Sequence, residues 1–179
     1  MEPARRSKSA AVVLLALVFA ALLSSCSREQ KDSPERATAA KAQFDLITKE
    51  FHVPSASANG TERLRLQNEA ANRYADLVRN FPEQSNLSAQ AQRSLGNIRA
   101  AQTNIDAAVK EFAAVGERYP TQEWEVLQAW KTAADLLWDA GRREEAKKFY
   151  TQIVTRYDRP DEAAIVKAVV RGSKAKLAE

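Results

Sequence analysis

Very few side chains of this 179-residue chain could carry out metal or covalent chemistry. The sequence holds a single cysteine, Cys26, and a single histidine, His52. Zinc sites, iron–sulfur clusters and disulfide frameworks all need several such ligands. We therefore expect no metal site, and we expect His52, which precedes Val53-Pro54, to be exposed or to lie at the end of a helix.

Carboxylates are the remaining candidates for acid–base catalysis. Several lie close together in the sequence: Asp135, Asp139, Glu144 and Glu145. No spacing among them marks an acid–base pair, and the sequence contains no phosphate-binding glycine loop, no H-E-x-x-H and no G-x-S-x-G. We therefore expect a binding protein, not an enzyme, with no cofactor.

The formal charge of +4 is concentrated at the start of the sequence. Of the 27 basic and 23 acidic residues, three bases (Arg5, Arg6 and Lys8) and one acid fall within residues 1–25. The remainder carries a charge of +2 and no obvious basic patch. We therefore expect no nucleic-acid partner.

Residues 1–25 have the features of a targeting segment. A basic stretch through Lys8 precedes an unbroken apolar run over residues 10–23, which is too short for a comfortable transmembrane helix. The sequence Leu23-Ser24-Ser25-Cys26 resembles the lipobox of bacterial lipoproteins. The resemblance implies that Cys26 is acylated and becomes the N-terminus after cleavage. The alternative is an ordinary secretory signal with a chance cysteine.

The lipoprotein resemblance predicts a signal peptide over residues 1–25 and a lipidated tether over 26–34, which leaves residues 35–179 for the folded domain. Acyl chains would hold the domain on a bilayer without crossing it. In the sorting rule known for such lipoproteins, aspartate after the cysteine retains the protein at the inner membrane. Ser27 therefore favours the periplasmic face of the outer membrane. We expect the first helix to begin near Ser33, a suitable N-cap before Pro34.

One pattern, Ala-x₃-aromatic-x₂-aliphatic-x₃-aromatic, occurs four times. Its copies are Ala40/Phe44/Ile47/Phe51, Ala70/Tyr74/Leu77/Phe81, Ala108/Phe112/Val115/Tyr119 and Ala146/Tyr150/Ile153/Tyr157. Spacings of four, three and four place each set on one stripe of an α-helix. The last three copies follow one another at equal intervals, and a second apolar element repeats between them with the same period. Each period is therefore predicted to be a helix pair, in an all-α domain of about seven helices.

The turn-forming residues agree with these helices. Pro82 and Pro120 directly follow two of the predicted helices. Within the pairs, we expect Gly141 to supply a left-handed residue at a helix end and Thr103 to cap the helix that follows it. These signals place one tight turn inside each pair.

Two segments depart from the regular period. Residues 53–60, which contain Pro54 and Gly60, are predicted to form a loop, so a helix over residues 35–51 takes the place of the missing first helix. Residues 161–177 are predicted to form a terminal helix, in which Gly172 matches Gly96. The apolar run over residues 163–170 either finishes the core or contacts a partner or a second copy.

The repeated residues resemble a tetratricopeptide repeat, whose pattern is W-x₂-L-G-x₂-Y, then Ala and Phe, then Pro. The matching residues are Leu95, Gly96, Ala108, Phe112 and Pro120, followed in the next period by Trp130, Ala134, Ala146 and Tyr150. The resemblance implies that the small residues let paired helices approach while Phe112 and Tyr150 fill the gaps between pairs. The period of 38, against the usual 34, and the aromatic-Pro endings are similar to those of outer-membrane assembly and cell-envelope lipoproteins.

The resemblance also implies a partner-binding groove lined by the first helix of each pair. Its candidate residues are Gln90, Arg93, Asn97, Gln128, Lys131, Asp135 and Trp138. Arg93 and Asn97 are similar to part of the family's carboxylate clamp, but the matching positions on the last helix are Val166 and Val170. Only a groove is therefore expected, without a stated ligand.

The tryptophans leave alternatives open. Trp138 is either a contact for a partner or a residue that packs on a neighbouring helix. Trp124 and Trp130 are expected in the core. Together these features predict an interaction scaffold for envelope proteins or peptide segments. The alternatives are a structural lipoprotein that self-associates through residues 161–177, and an accessory of peptidoglycan metabolism whose tryptophans stack on sugars.

Overall fold

The computed structural model describes residues 33–179, where every regular element is a helix, so the predicted all-α class is confirmed. The helices are α1 (Pro34–Ile47), which continues through a π turn (Thr48–His52) into α2 (Val53–Ser57), then α3 (Gly60–Asn80), α4 (Ser85–Ala101), α5 (Ile105–Arg118), α6 (Glu123–Asp139), α7 (Arg143–Tyr157) and α8 (Ala164–Ala178). With α1, the π turn and α2 taken as one continuous stretch, there are seven. Cys26 and the predicted signal peptide lie outside the described residues.

Residues 40–179 form one compact unit, and residues 33–39 belong to a separate one. In the latter, the Oγ of Ser33 accepts a hydrogen bond from the backbone N–H of Arg36 at 3.3 Å. This bond satisfies one of the donors that a helix leaves free in its first turn. The predicted cap at Ser33 is confirmed.

Within the compact unit, each helix from α3 onward packs on the next, and α4 also contacts α6. Helices α4 and α5 form one pair, and α6 and α7 form the next. We call α4 and α6 the first helices, and α3, α5 and α7 the second helices. The helix-pair arrangement predicted from the repeat period is therefore present.

The turn inside each pair contains one residue with positive φ. Gly141 has φ 75°, as predicted, because a residue without a Cβ adopts that conformation at little cost. In the other turn Thr103 itself has φ 61°. The side chain of Asn104 caps α5 by accepting from the N–H of Ala107 at 3.2 Å. The prediction that Thr103 is the cap is therefore wrong, since Thr103 occupies the left-handed position that closes the turn.

The repeated aromatic residues of the last two copies are buried, as is Tyr74, whereas Phe44, Phe51 and Phe81 are half-buried and pack against the core. The exposed fractions of Tyr74, Phe112 and Tyr150 are 0%, 0% and 1%. Phe112 lies against Gly96, where an added Cβ would come within 2.5 Å of the Phe112 ring. A small residue on α4 is thus what allows α4 and α5 to approach each other.

Residues 53–57 are helical, so the predicted loop over residues 53–60 is wrong for most of its length. Pro54 has no N–H to donate and would clash with the carbonyl one turn earlier in a regular α-helix. The π turn over Thr48–His52 widens the helix just before it, and the N–H of Val53 donates to the carbonyl of Thr48. Only Ala58 and Asn59 are non-helical, and Gly60 begins α3 with φ 53°.

The last helix begins at Ala164, slightly later than the predicted start at residue 161. Val166 and Val170 are buried and close the core that α6 and α7 share, whereas Ile165 is 57% exposed. Gly172 has no atom within 4 Å of an added Cβ. Gly172 therefore matches Gly96 in its position along the helix, but no aromatic ring packs against it as Phe112 packs against Gly96. Within residues 33–179, no helix is long and apolar enough to span a membrane.

Candidate interaction surface

The seven predicted groove residues lie on α4 and α6, which contact each other, and all seven are half-buried. We call them together the first-helix surface: Gln90, Arg93, Asn97, Gln128, Lys131, Asp135 and Trp138. A helix places residues three and four positions apart on one side, which explains why these spacings share a surface. The structure thus brings together residues that belong to two different repeats of the sequence.

Arg93 is held by a carboxylate that the sequence analysis missed. Its Nε donates to the Oε2 of Glu125 on α6 at 2.6 Å, and the two side chains are 28% and 9% exposed. Glu125 lies in the first turn of α6, where an acidic residue is usual and gives no sign of burial. Because the charge of Arg93 is already balanced, Arg93 is a poor anchor for a partner's carboxylate.

Lys131 and Asp135 also form an ion pair, but along one helix. The hydroxyl of Tyr150 donates to the Oδ1 of Asp135 at 2.8 Å. Burial and the neighbouring Asp135 both raise the pKa of Tyr150, so the hydroxyl stays protonated and remains a donor. The α6 part of the surface is therefore close to electrically neutral.

Trp138 packs on its neighbours, as one of the two alternatives expects. Its ring meets Tyr150 nearly edge-on, with 6.1 Å between the ring centroids. Two cations lie over the Trp138 ring, with Arg143 at 5.0 Å and Lys176 at 4.3 Å from the centroid. These contacts hold the indole against α7 and α8.

Two amides of the surface remain available for recognition. Among the described residues, the side chains of Asn97 and Gln128 have no hydrogen-bond partner, whereas Gln90 donates to Asn86 at 2.6 Å. A side-chain amide offers both donors and an acceptor, so it can pair with the N–H and C=O of a peptide backbone. The surface is thus suited to a polar main chain more than to a charged group.

His52 is half-buried in the π turn, so the prediction that it is exposed or at a helix end is wrong. Its Nδ1 is 3.1 Å from the hydroxyl of Tyr74, which is also 2.8 Å from the Oγ1 of Thr48. Burial, followed by the positive charge of Arg93, lowers the pKa of His52. His52 thus links the π turn to Tyr74 on α3.

The remaining tryptophans differ from each other. Trp124 is 48% exposed, so its predicted place in the core is wrong. The next residues of the same turn of α6, Glu125 and Val126, are buried, so the exposure of Trp124 reflects the side of the helix on which it lies. Trp130 is partly buried, and it packs against the apolar clusters on both sides of α6, as expected of a core residue.

No group of three or more His, Cys, Asp or Glu side chains that could hold a metal ion occurs within the described range. No family model and no curated protein matches the chain. The function must therefore be argued from the geometry of this surface and from the sequence motifs.

Proposed function

We propose that the chain is a lipoprotein anchored at the periplasmic face of the outer membrane, whose tetratricopeptide-like repeats act as an interaction scaffold for envelope proteins. The observation that carries the proposal is the half-buried polar row on two contacting first helices, with the amides of Asn97 and Gln128 unpaired among the described residues. The lipobox-like sequence at Cys26 supports the location.

The chemistry of the first-helix surface favours a peptide segment as the partner. Its two cations are already paired with Glu125 and Asp135, so neither offers a free charge. Unpaired amides beside apolar first-helix residues would be satisfied by backbone groups of an extended or helical peptide. The lipid would hold the protein at the membrane, and the amides of Asn97 and Gln128 would bind the partner peptide.

The anchor is tested by membrane fractionation of cells that make the full chain or its Cys26→Ala variant. We expect only the unaltered chain to sediment with the outer membrane. If both versions remain soluble, or both sediment alike, the lipid anchor is rejected, whatever the state of the helical domain.

Recognition is tested in the same fraction by crosslinking and identifying the bound proteins. The double variant Asn97→Ala/Gln128→Ala should lose the partners recovered with the unaltered chain. The control Gln152→Ala changes an exposed amide on α7 and should keep them. Equal recovery with both variants, at equal thermal stability, would remove the first-helix surface from the proposal.

Self-association through α8 is the second candidate, and the 57% exposure of Ile165 favours it. A helix face that carries an exposed aliphatic residue beside the open Gly172 can pack on a second copy. Light scattering at low concentration distinguishes the two functions. A monomeric mass rejects self-association, whereas a dimer that Ile165→Lys converts to monomer supports it.

A further inference from the structure

A cavity of 720 Å³ opens between the second helices α3 and α5, with α4 as its floor. Its apolar walls include Val78, Leu95 and Ala114. This volume lies within the roughly 300–1,000 Å³ typical of ligand pockets, which combine apolar walls with a few placed polar groups.

The cavity is separate from the first-helix surface. On α4, Gln92 and Leu95 line the cavity, whereas Gln90, Arg93 and Asn97 belong to the surface. At 100° per residue, the centres of these two sets are about 160° apart around the helix. A ligand in the cavity would therefore leave the first-helix surface open.

Positive charge exceeds negative charge around this cavity. The charged residues that line it are Arg79, Lys110, Glu111 and Arg118. Arg79 forms an ion pair with Asp76 of its own helix. In the part of the chain that the structure describes, Lys110 and Arg118 have no carboxylate partner. Lys110 and Arg118 thus share the cavity with a single carboxylate, that of Glu111, which leaves an excess of positive charge.

Gln92 orients two of these charged groups, the carboxylate of Glu111 and the guanidinium of Arg118. It is only 2% exposed, its Nε2 donates to the carboxylate of Glu111, and its Oε1 accepts from the Nη1 of Arg118 at 3.1 Å. One of the five guanidinium donors of Arg118 is used in this way, and the others remain free. A buried amide therefore holds Arg118 in place while it is still able to bind an anion.

We propose that this cavity binds a peptide segment of a partner protein that places a carboxylate next to aliphatic side chains. The carboxylate meets Lys110 and the free donors of Arg118, since arginine pairs with carboxylates through two parallel hydrogen bonds. The aliphatic side chains meet Val78, Leu95 and Ala114. The site is independent of the proposed groove and adds a second contact on the same repeats.

The test uses the full chain, purified in detergent, and two libraries of random heptapeptides, one with amidated and one with free C-termini. We expect the retained peptides to be enriched in Asp or Glu together with aliphatic residues. Enrichment in both libraries assigns the carboxylate to a side chain, and enrichment only with free C-termini assigns it to the chain end. Retention of peptides without any carboxylate overturns the proposal.

Matched variants locate the binding. Lys110→Glu and Ala114→Trp should weaken the selected peptides by about tenfold or more, equivalent to one lost charged contact. Lys148→Glu and Gln152→Trp change the equivalent residues of the next repeat and should leave affinity unaltered. Because Lys110 is exposed, its variant should fold normally, as circular dichroism would verify. Equal binding by all four variants places the peptides elsewhere and overturns the proposal.

Discussion

The two successive gaps between second helices have the same backbone plan but different contents. At the floor of the gap between α3 and α5 lies Gln92, and at the equivalent position of the next repeat, beneath α5 and α7, lies Trp130. Glu111 beside Gln92 likewise corresponds to Phe149, which packs with Trp130 against the same two clusters. One gap remains open above a polar floor, and the other is filled by aromatic rings.

The arginines at equivalent positions show how the floor residue changes a neighbour's role. Arg118 donates to the amide of Gln92. Its counterpart in the next repeat, Arg156, lies 5.6 Å from the centroid of the Trp130 ring and pairs with Glu123. The open gap therefore leaves a cation available, whereas the filled gap uses its cation for packing.

The largest difference in stability between the two gaps is expected when the residue at each floor, Gln92 or Trp130, is replaced by alanine. Trp130→Ala should lower the free energy of unfolding by about 3 kcal/mol, because it leaves a hole between two apolar clusters. Gln92→Ala should cost about 1 kcal/mol, since the amide makes hydrogen bonds but fills little space. Urea denaturation followed by circular dichroism measures both. Equal losses would show that the two gaps are packed alike.

Adding a side chain at Gly116, which lies against Trp130, should have the next largest effect on the free energy of unfolding. An added Cβ at Gly116 would lie 2.5 Å from the Trp130 Nε1, so Gly116→Val should destabilise by about 2 kcal/mol through overpacking. In the Trp130→Ala background the same change should cost much less, because the ring is gone. Gly172→Val, in open space, should change stability by less than about 0.5 kcal/mol. A large loss at Gly172 would contradict this account of the packing.

A smaller difference in stability is expected between variants of Arg93 and Lys131, which occupy equivalent positions on the first helices. Arg93→Ala leaves the 9%-exposed carboxylate of Glu125 without its partner and should cost about 1.5 kcal/mol. Lys131→Ala breaks a partly exposed pair within one helix and should cost about 0.5 kcal/mol or less. Thermal unfolding of both variants at one ionic strength compares them. A larger loss for Lys131 would reverse the assignment of Arg93 to structure.

The smallest expected effect on stability concerns His52 and Asp135, which hold the hydroxyls of two of the buried tyrosines, Tyr74 and Tyr150. His52 holds that of Tyr74, and folding lowers the pKa of His52 below its usual 6.5. As the pH falls below 6.5, the unfolded chain therefore takes up the proton first, and the free energy of unfolding decreases. Stability measured from pH 7 to 5 should decline less for His52→Gln than for the unaltered chain. Asp135→Asn, beside Tyr150, should keep the decline, and an unchanged profile for His52→Gln would contradict the shift.

The helices and their pairing could be predicted because the residues of the repeated apolar stripe are the ones that each helix buries against its neighbours. The position of the turns followed from Gly141 and the two prolines for the same local reason. The helix over residues 53–57 could not be foreseen, because a π turn accommodates Pro54 in a way that no sequence rule indicates. The exposure of Trp124 also depends on which side of α6 packs, since the adjacent Glu125 and Val126 are buried.

The first-helix surface followed from the resemblance to tetratricopeptide repeats together with helical spacing, but its charge balance could not be predicted. Glu125 gives no sequence sign that it holds Arg93, since the pairing depends on how closely α4 and α6 approach. The cavity was missed for a similar reason, because its volume depends on the distance between helices. The visible signals were the polar residues Gln92 and Glu111 where the next repeat has Trp130 and Phe149, and alignment of the repeats against each other would have found them.

The floor position also has an evolutionary consequence. In the filled gap Gly116 and Phe149 accompany Trp130, whereas the open gap has Val78 and Glu111 at the equivalent positions. A small set of exchanges around the floor, with no change in the course of the chain, would therefore turn a filled gap into a receptor. An array built in this way acquires new specificities one unit at a time, while its neighbouring units keep theirs.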